Sequence, residues 1–148
     1  MNEGPTIRPM TVEDLDDVMK TELRAFADPW SRKSYLTEIT ENDYSRPVIM
    51  EFQGEIVGHA VVWEVSEEFH IATLAVSPDF QGQGLGNFLF QNLLKMAESA
   101  EFALLEVRKS NMAAIKMYEK FGFVQIGFRR QYYRNGEDAM VMKKIFDR

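Results

Sequence analysis

The chain contains no cysteine. That absence excludes disulfides, a cysteine zinc site and a cysteine nucleophile together. Histidine is scarce as well. His59 and His70 are the two imidazoles, and they do not sit in a metal-ligand spacing, so no metal is expected. No run of Lys or Arg occurs. The electrostatic footprint of a nucleic-acid binder is missing, and no direct nucleic-acid contact is expected. Apolar runs stop at five or six residues, as from Ile71 to Val76, whereas a membrane helix needs about 20. The N-terminus, Met1-Asn2-Glu3-Gly4-Pro5, has neither the basic nor the apolar region of a signal peptide. These absences lead to the expectation of a soluble, cytoplasmic protein with no membrane partner.

The 148 residues fit one domain, residues 1–148. A chain of that length buries roughly 70% of its unfolded surface and needs no staples. The hydrophobic fraction of 45% and charged fraction of 27% are those of an ordinary globular protein. The net charge of -6 serves solubility, and a cationic substrate would also be drawn to it.

Strand and helix signals alternate along the chain. Thr6 to Pro9 reads as a strand. Thr11 caps a helix with Leu15, Val18, Met19 and Leu23 at helical spacing. Asp28-Pro29-Trp30 interrupts it, and Ser31 caps a second helix to about Thr40. Pro47 to Gln53 and Glu55 to Val65 read as a hairpin turning near Gly54, and Glu68 to Val76 as the next strand. Gly84 to Ala100 carries an apolar stripe of Leu85, Phe88, Leu89, Leu93 and Met96. A strand from Phe102 to Arg108 and a helix from Asn111 to Lys120 follow. Two strands, about Phe123 to Tyr133 and Asp138 to Ile145, are joined by the hairpin signal Asn135-Gly136. The order predicts an α/β (α+β) fold: one mixed, mostly antiparallel sheet of about seven strands, with helices on both faces.

Gln81-Gly82-Gln83-Gly84-Leu85-Gly86-Asn87 lies between a strand and a helix. Anion binding at a helix start needs free backbone N–H groups, the positive dipole end and an absence of bulk. The dinucleotide pattern fails, because the third glycine would fall at Asn87 or Leu89. The Walker pattern fails for want of Gly-Lys-Ser/Thr. A Gly-rich turn serving chain reversal alone is the plainer alternative.

On Gln81-x-x-Gly84-x-Gly86 and on element order, the chain resembles the GCN5-related N-acetyltransferase (GNAT) superfamily. Within it, the chain looks like the ribosomal-protein-alanine N-acetyltransferases of the RimI type. That likeness rests on Pro29-Trp30-Ser31, Leu105-Glu106-Val107-Arg108, Ser110-Asn111-x-x-Ala114-Ile115-x-x-Tyr118, Gly122-Phe123, and Arg130-x-Tyr132-Tyr133 with Gly136-Glu137-Asp138-Ala139. The fold implied is the GNAT fold. The implied cosubstrate is acetyl-CoA, and the implied acceptor is the N-terminus of a ribosomal protein, with alanine first. No Lys or Arg lies between residues 78 and 94, so backbone N–H groups would hold the phosphates.

The resemblance implies that Glu106 is the general base, acting through water. From pattern alone it is equally a solvent-facing or salt-bridged carboxylate in a strand. Tyr118 becomes the acid that protonates the leaving thiolate; by pattern it is a half-buried tyrosine. Asn111 becomes a pantetheine contact, or simply an N-cap. Leu74, Ala75 and Val76 would pair with pantetheine through their backbone, beside residues 81 to 87. Arg130, Tyr132 and Tyr133 would shape the peptide slot, with Trp30 and Phe26 opposite; an aromatic cluster and a core role are the plain readings. His59 and His70 read as structural or exposed. Direct attack in a ternary complex is expected, from a monomer or weak dimer. Two rivals stand beside this reading: a superfamily member acting on lysine or a small amine, and a non-catalytic coenzyme-A-binding module.

Overall fold

The computed structural model describes residues 3–147. Seven strands form one sheet in the order β1-β2-β3-β4-β5-β7-β6. They are β1 (Thr6–Pro9), β2 (Ser45–Phe52), β3 (Glu55–Val65), β4 (Glu68–Val76), β5 (Phe102–Arg108), β6 (Val124–Arg129) and β7 (Ala139–Ile145). The helices are α1 (Leu15–Ala25), α2 (Arg32–Thr40), α3 (Leu85–Lys95) and α4 (Met112–Lys120). Every ladder is antiparallel except β4 with β5. That parallel pair needs a crossover, which α3 supplies.

The sheet has two apolar faces, and helices cover both. On one face Leu85, Leu89 and Leu93 of α3 and Ile115 of α4 pack on Val62, Phe69, Leu105 and Met142. On the other, Leu15 and Val18 of α1 and Tyr35 of α2 pack on Ile49 and Val61. Fully burying one such Leu or Ile contributes about 1.5–3 kcal/mol. The mixed, helix-covered sheet expected from the sequence is therefore the architecture present. Among the described residues, no helix is long and apolar enough to cross a membrane.

Several boundaries differ from the sequence expectation, each for a local reason. The first helix begins as a 3-10 turn, Val12–Asp14. There the N–H and hydroxyl of Thr11 both donate to the Asp14 carboxylate. Its inward stripe is rotated: Leu23 is exposed, while Thr21 and Glu22 are buried. β2 starts at Ser45 rather than Pro47. α3 stops at Lys95, five residues short of Ala100. There the Glu64 carboxylate collects the N–H groups of Glu98, Ser99 and Ala100, at 3.0, 3.0 and 2.9 Å, and turns the chain. β6 ends at Arg129. Gln131 is left-handed, with φ 49°, and its N–H donates to Asp138 Oδ1 at 2.9 Å. Residues 130–138 are a loop rather than a two-residue hairpin turn at Asn135-Gly136.

Candidate active site

The parallel ladder joins Glu68 to Ile71 with Phe102 to Leu105 and stops there. Beyond it, β4 continues alone against β3 and β5 alone against β7. The parting coincides with a bulge. Val61 pairs with Thr73 and Val62 with Ile71, which leaves Ala72 without an opposite residue. A bulge bends and twists its strand. Between the parted strands lies a cleft of about 290 Å³, with Leu74, Glu106, Asn111, Tyr118, Tyr132 and Trp30 among its lining residues. The strand geometry thus places Glu106 and Tyr118 in one cavity, although they are separated in sequence.

Glu106 occupies the face of β5 opposite the buried Ala103, Leu105 and Val107. Its Oε1 is 2.7 Å from His70 Nε2 and its Oε2 is 3.5 Å from Arg129 Nε. Burial alone would raise this carboxyl. The His70 hydrogen bond, the imidazole charge and Arg129 together outweigh burial and hold it below the usual glutamate value. Glu106 is therefore an ionised acceptor with both oxygens occupied. His70, expected to be structural or exposed, is in direct contact with the candidate base.

Tyr118 projects from α4 into an aromatic nest, 4.8 Å from the Phe90 ring and 6.3 Å from Phe123. Burial, reinforced by Tyr133, pushes its hydroxyl up to about 12. It stays protonated at neutral pH, as a proton donor must. Among the described residues its hydroxyl has no hydrogen-bond partner, so it is open to a ligand. Asn111 caps α4 through Oδ1 and the N–H of Ala114, 3.2 Å apart. The plain N-cap role holds, and the residue also lines the cleft.

The glycine loop lies beyond the cleft. β4 connects the two: Leu74 lines the cleft, and Val76 sits beside Gly86. Gly82 and Gly84 have φ of 81° and 80°, the left-handed region that favours glycine. Gln81 Nε2 reaches back to the carbonyl of Val76 at 3.3 Å. The first bond of α3 runs from the Phe88 N–H to the Gly84 carbonyl, 3.1 Å. The N–H groups of Leu85, Gly86 and Asn87 come before it and have no carbonyl one turn back to meet. A Cβ at Gly86 would meet nothing nearer than Met117 Sδ and Val76 Cγ2, both at 4.0 Å. The protein therefore does not itself require glycine there. Three free donors at a helix start, beside the open positions at Gly82 and Gly84, fit a diphosphate.

Two loops close one side of the cleft. Tyr132 and Tyr133 line the cleft from the β6–β7 loop, and Phe26 and Trp30 from the α1–α2 loop. Arg130 does not line it. Arg130, just before the turn at Gln131, is on the exposed surface. Asp28 and Arg108 tie the loops together. Asp28 Oδ2 accepts from Arg108 Nη2 at 3.1 Å and from the Arg134 N–H at 3.0 Å. Arg108 also donates to Asn135 Oδ1 and Glu137 Oε1, both at 3.1 Å. Its guanidinium stacks 4.0 Å from the centre of the Tyr133 ring.

Beneath Trp30 lies a buried polar cluster that the sequence reading missed. The Glu22 carboxylate accepts from the Trp30 N–H at 2.8 Å and from Tyr35 Oη, and it meets His59 Nε2 at 2.8 Å. Glu22 and His59 are 0% exposed. The available signal was His59 itself, a polar residue inside an apolar strand, which must find a partner. Among the described residues, no group of His, Asp and Glu could hold a metal ion.

The acetyltransferase (GNAT) family model matches residues 15–123. The [ribosomal protein bS18]-alanine N-acetyltransferase of Escherichia coli strain K12 is 36% identical over 142 residues, covering 93% of this chain and 95% of that protein. The crystal structure of the ribosomal-protein-S18-alanine N-acetyltransferase from Escherichia coli superposes with a TM-score of 0.84 at 33% identity, over 98% of this chain and 96% of that one. Ard1 from Thermoplasma volcanium superposes with a TM-score of 0.88 at 26% identity, over 97% and 99%. The wedge between β4 and β5, the glycine loop at the start of α3 and these likenesses agree: the chain belongs to the acetyltransferase (GNAT) family.

Proposed function

We propose that this enzyme transfers an acetyl group from acetyl-CoA to the N-terminal α-amine of a ribosomal protein, with alanine as the first residue. The observation that carries the reading is the single cleft that brings Glu106 and Tyr118 together between two bridged loops. The Escherichia coli relative, described as acting on ribosomal protein bS18, supplies the acceptor.

Bound along β4 and the start of α3, acetyl-CoA supplies an activated thioester. The N–H groups of Leu85, Gly86 and Asn87 hold its diphosphate, and the backbone of Leu74 to Val76 orients the pantetheine arm. Glu106 takes the proton of the acceptor amine through water. An α-amine has a reference pKa near 8, against about 10.4 for lysine. A carboxylate held below its ordinary value is a weak base, which suits an amine already partly neutral at physiological pH. Tyr118 Oη gives its proton to the departing sulfur. Tyr132, Tyr133 and Trp30 flank the first residues of the acceptor. With no cysteine in the chain, the amine attacks directly.

The test offers the purified protein acetyl-CoA and three acceptors. They are an alanine-starting bS18 peptide, the same peptide blocked at its α-amine but carrying an internal lysine, and a polyamine. Mass spectrometry should find the acetyl group on the free α-amine. Modification of lysine or polyamine instead would replace this reading with the rival acetyltransferase. Binding of acetyl-CoA with no transfer to any acceptor would replace it with the binding module.

A further inference from the structure

We propose that the buried carboxylate of Glu22 is a positioning residue for the acceptor slot. It acts through Trp30, and it holds that wall where only a small first side chain fits. The inference rests on the transferase reading and deepens it, by assigning the choice of first residue to the cluster beneath the slot.

The placement starts at the end of α1. The helix stops at Ala25, and the chain must reach Ser31, the N-cap of α2. Pro29 on the way offers no N–H. Among the described residues, the N–H of Trp30 is the one backbone donor of residues 27–31 that has a partner, Glu22 Oε2 at 2.8 Å. The carboxylate is fixed in turn from below. Its Oε1 accepts from the Tyr35 hydroxyl of α2 and lies 2.8 Å from His59 Nε2 of β3. Thr73 of β4 also bears on the Tyr35 hydroxyl. One buried group thus ties α1, α2 and two strands to the backbone of the slot wall.

The Trp30 ring has no room to recede either. It tilts over Tyr35 with ring centres 5.2 Å apart and stacks on Trp63 at 6.4 Å. Tyr35 is fully buried, and the Trp63 Nε1–H is anchored to Glu38 Oε1. Glu22, Thr73 and Trp30 all line the cleft of about 290 Å³. Packing of this kind resists added bulk, which forces side chains and backbone to shift. A first residue larger than alanine has to displace Trp30. That displacement breaks the bond to Glu22 and leaves a buried carboxylate short of a donor. A small first residue requires neither.

Three substitutions separate position from stability. Glu22→Asp keeps a carboxylate near Tyr35 and His59 but is one methylene too short to hold the Trp30 N–H as well. Glu22→Gln can hold it: the amide oxygen accepts from Trp30, and the amide nitrogen turns to His59. An imidazole nitrogen can accept as well as donate, and His59 Nδ1 has no hydrogen-bond partner to lose among the described residues. Tyr35→Phe removes a donor from the other oxygen, while the Trp30 N–H bond and the ring beneath Trp30 stay in place.

The test measures kcat/KM at saturating acetyl-CoA for two peptides that differ only in alanine or leucine at the first position. Wild type should prefer alanine by roughly 10-fold or more. Glu22→Asp should bring the two peptides within about 3-fold of each other, with the KM for acetyl-CoA unchanged. Glu22→Gln should keep the wild-type preference. Tyr35→Phe should keep it too, although its melting temperature falls. Should Glu22→Asp not fold, amide hydrogen exchange in the wild type decides. The Trp30 N–H should exchange at least about 10-fold more slowly than those of Ala27 and Asp28. An unchanged preference in Glu22→Asp, a relaxed one in Glu22→Gln or Tyr35→Phe, a wild type indifferent to the first residue, or a Trp30 amide as fast as its neighbours would each overturn this inference alone. Absence of transfer by the wild type to either peptide would instead overturn the transferase reading, and this one with it.

Discussion

Two side chains show how differently a polar group is used at the residue scale. The Tyr118 hydroxyl sits in an aromatic nest without a protein partner, and its pKa is raised to about 12 chiefly by burial. Removing it breaks no bond of the folded protein. Tyr118→Phe should therefore leave the melting temperature unchanged and the KM for acetyl-CoA near wild type, while kcat falls about 100-fold, the range of a lost proton donor. Steady-state kinetics decide the point, and an unchanged kcat would remove Tyr118 from the reaction. Glu22 is the opposite case. Its carboxylate is the shared acceptor for Tyr35, His59 and the Trp30 N–H in a fully buried site. Burial, then the Glu22 charge, raises Tyr35 far above the ordinary tyrosine value, so its hydroxyl donates. Glu22→Ala should cost about 3–5 kcal/mol, because the partners are left buried and unmatched. Urea unfolding measures it, and a loss below about 1 kcal/mol would show that the cluster does not hold α1 to β3.

At the element scale, the sequence was most legible where a local pattern is bound to a local geometry. The glycine loop and α3 follow this rule: a helix start at Gly84 was expected from the sequence, and the structure adds left-handed backbone at Gly82 and Gly84. Legibility failed where a distant side chain decides. Nothing near Lys95 announces that Glu64, from β3, ends α3 by collecting three N–H groups. Nor does spacing reveal that Glu22 and not Leu23 faces inward, because one residue along a helix rotates the face by about 100°. Gly86 separates packing from function within one element. Its added Cβ would have room, and alanine in a helix is favoured over glycine by about 0.5–1 kcal/mol. Gly86→Ala should therefore raise the melting temperature of the free protein slightly. It should also weaken the stabilisation given by acetyl-CoA, since it adds bulk within the turn whose N–H groups are proposed to hold the diphosphate. Thermal melts with and without acetyl-CoA show both signs. A variant stabilised by acetyl-CoA as fully as wild type would move the diphosphate away from this helix start.

Across the whole molecule, the site arises where the sheet parts, and several of its side chains come from segments distant in sequence. Glu106 and Tyr118 were legible through the family pattern, and Tyr132 and Tyr133 through their neighbourhood. The bridge over the cleft was not, because Asp28, Arg108 and Glu137 meet only after the sheet has formed. Arg108 lies at the end of β5, stacked on Tyr133, and joins Asp28 of one loop to Glu137 of the other. The Glu137 carboxylate also accepts from the Ser110 N–H at 2.8 Å. These contacts join the two loops at one side of the cleft, away from Gly82 to Gly86 in the fold. Removing Asp28 frees the α1–α2 loop from Arg108 and from the Arg134 N–H, while Arg108 keeps Glu137 and Asn135 as partners. A charge-assisted hydrogen bond contributes about 1.5–3 kcal/mol, which corresponds to roughly 10-fold or more in an equilibrium. Asp28→Ala should therefore raise the KM for an alanine-starting peptide roughly 10-fold, with the KM for acetyl-CoA unmoved and the α-amine still the site modified. If both KM values rise together, the two loops hold the cofactor arm as well as the acceptor. If neither changes, the bridge does not shape the acceptor slot.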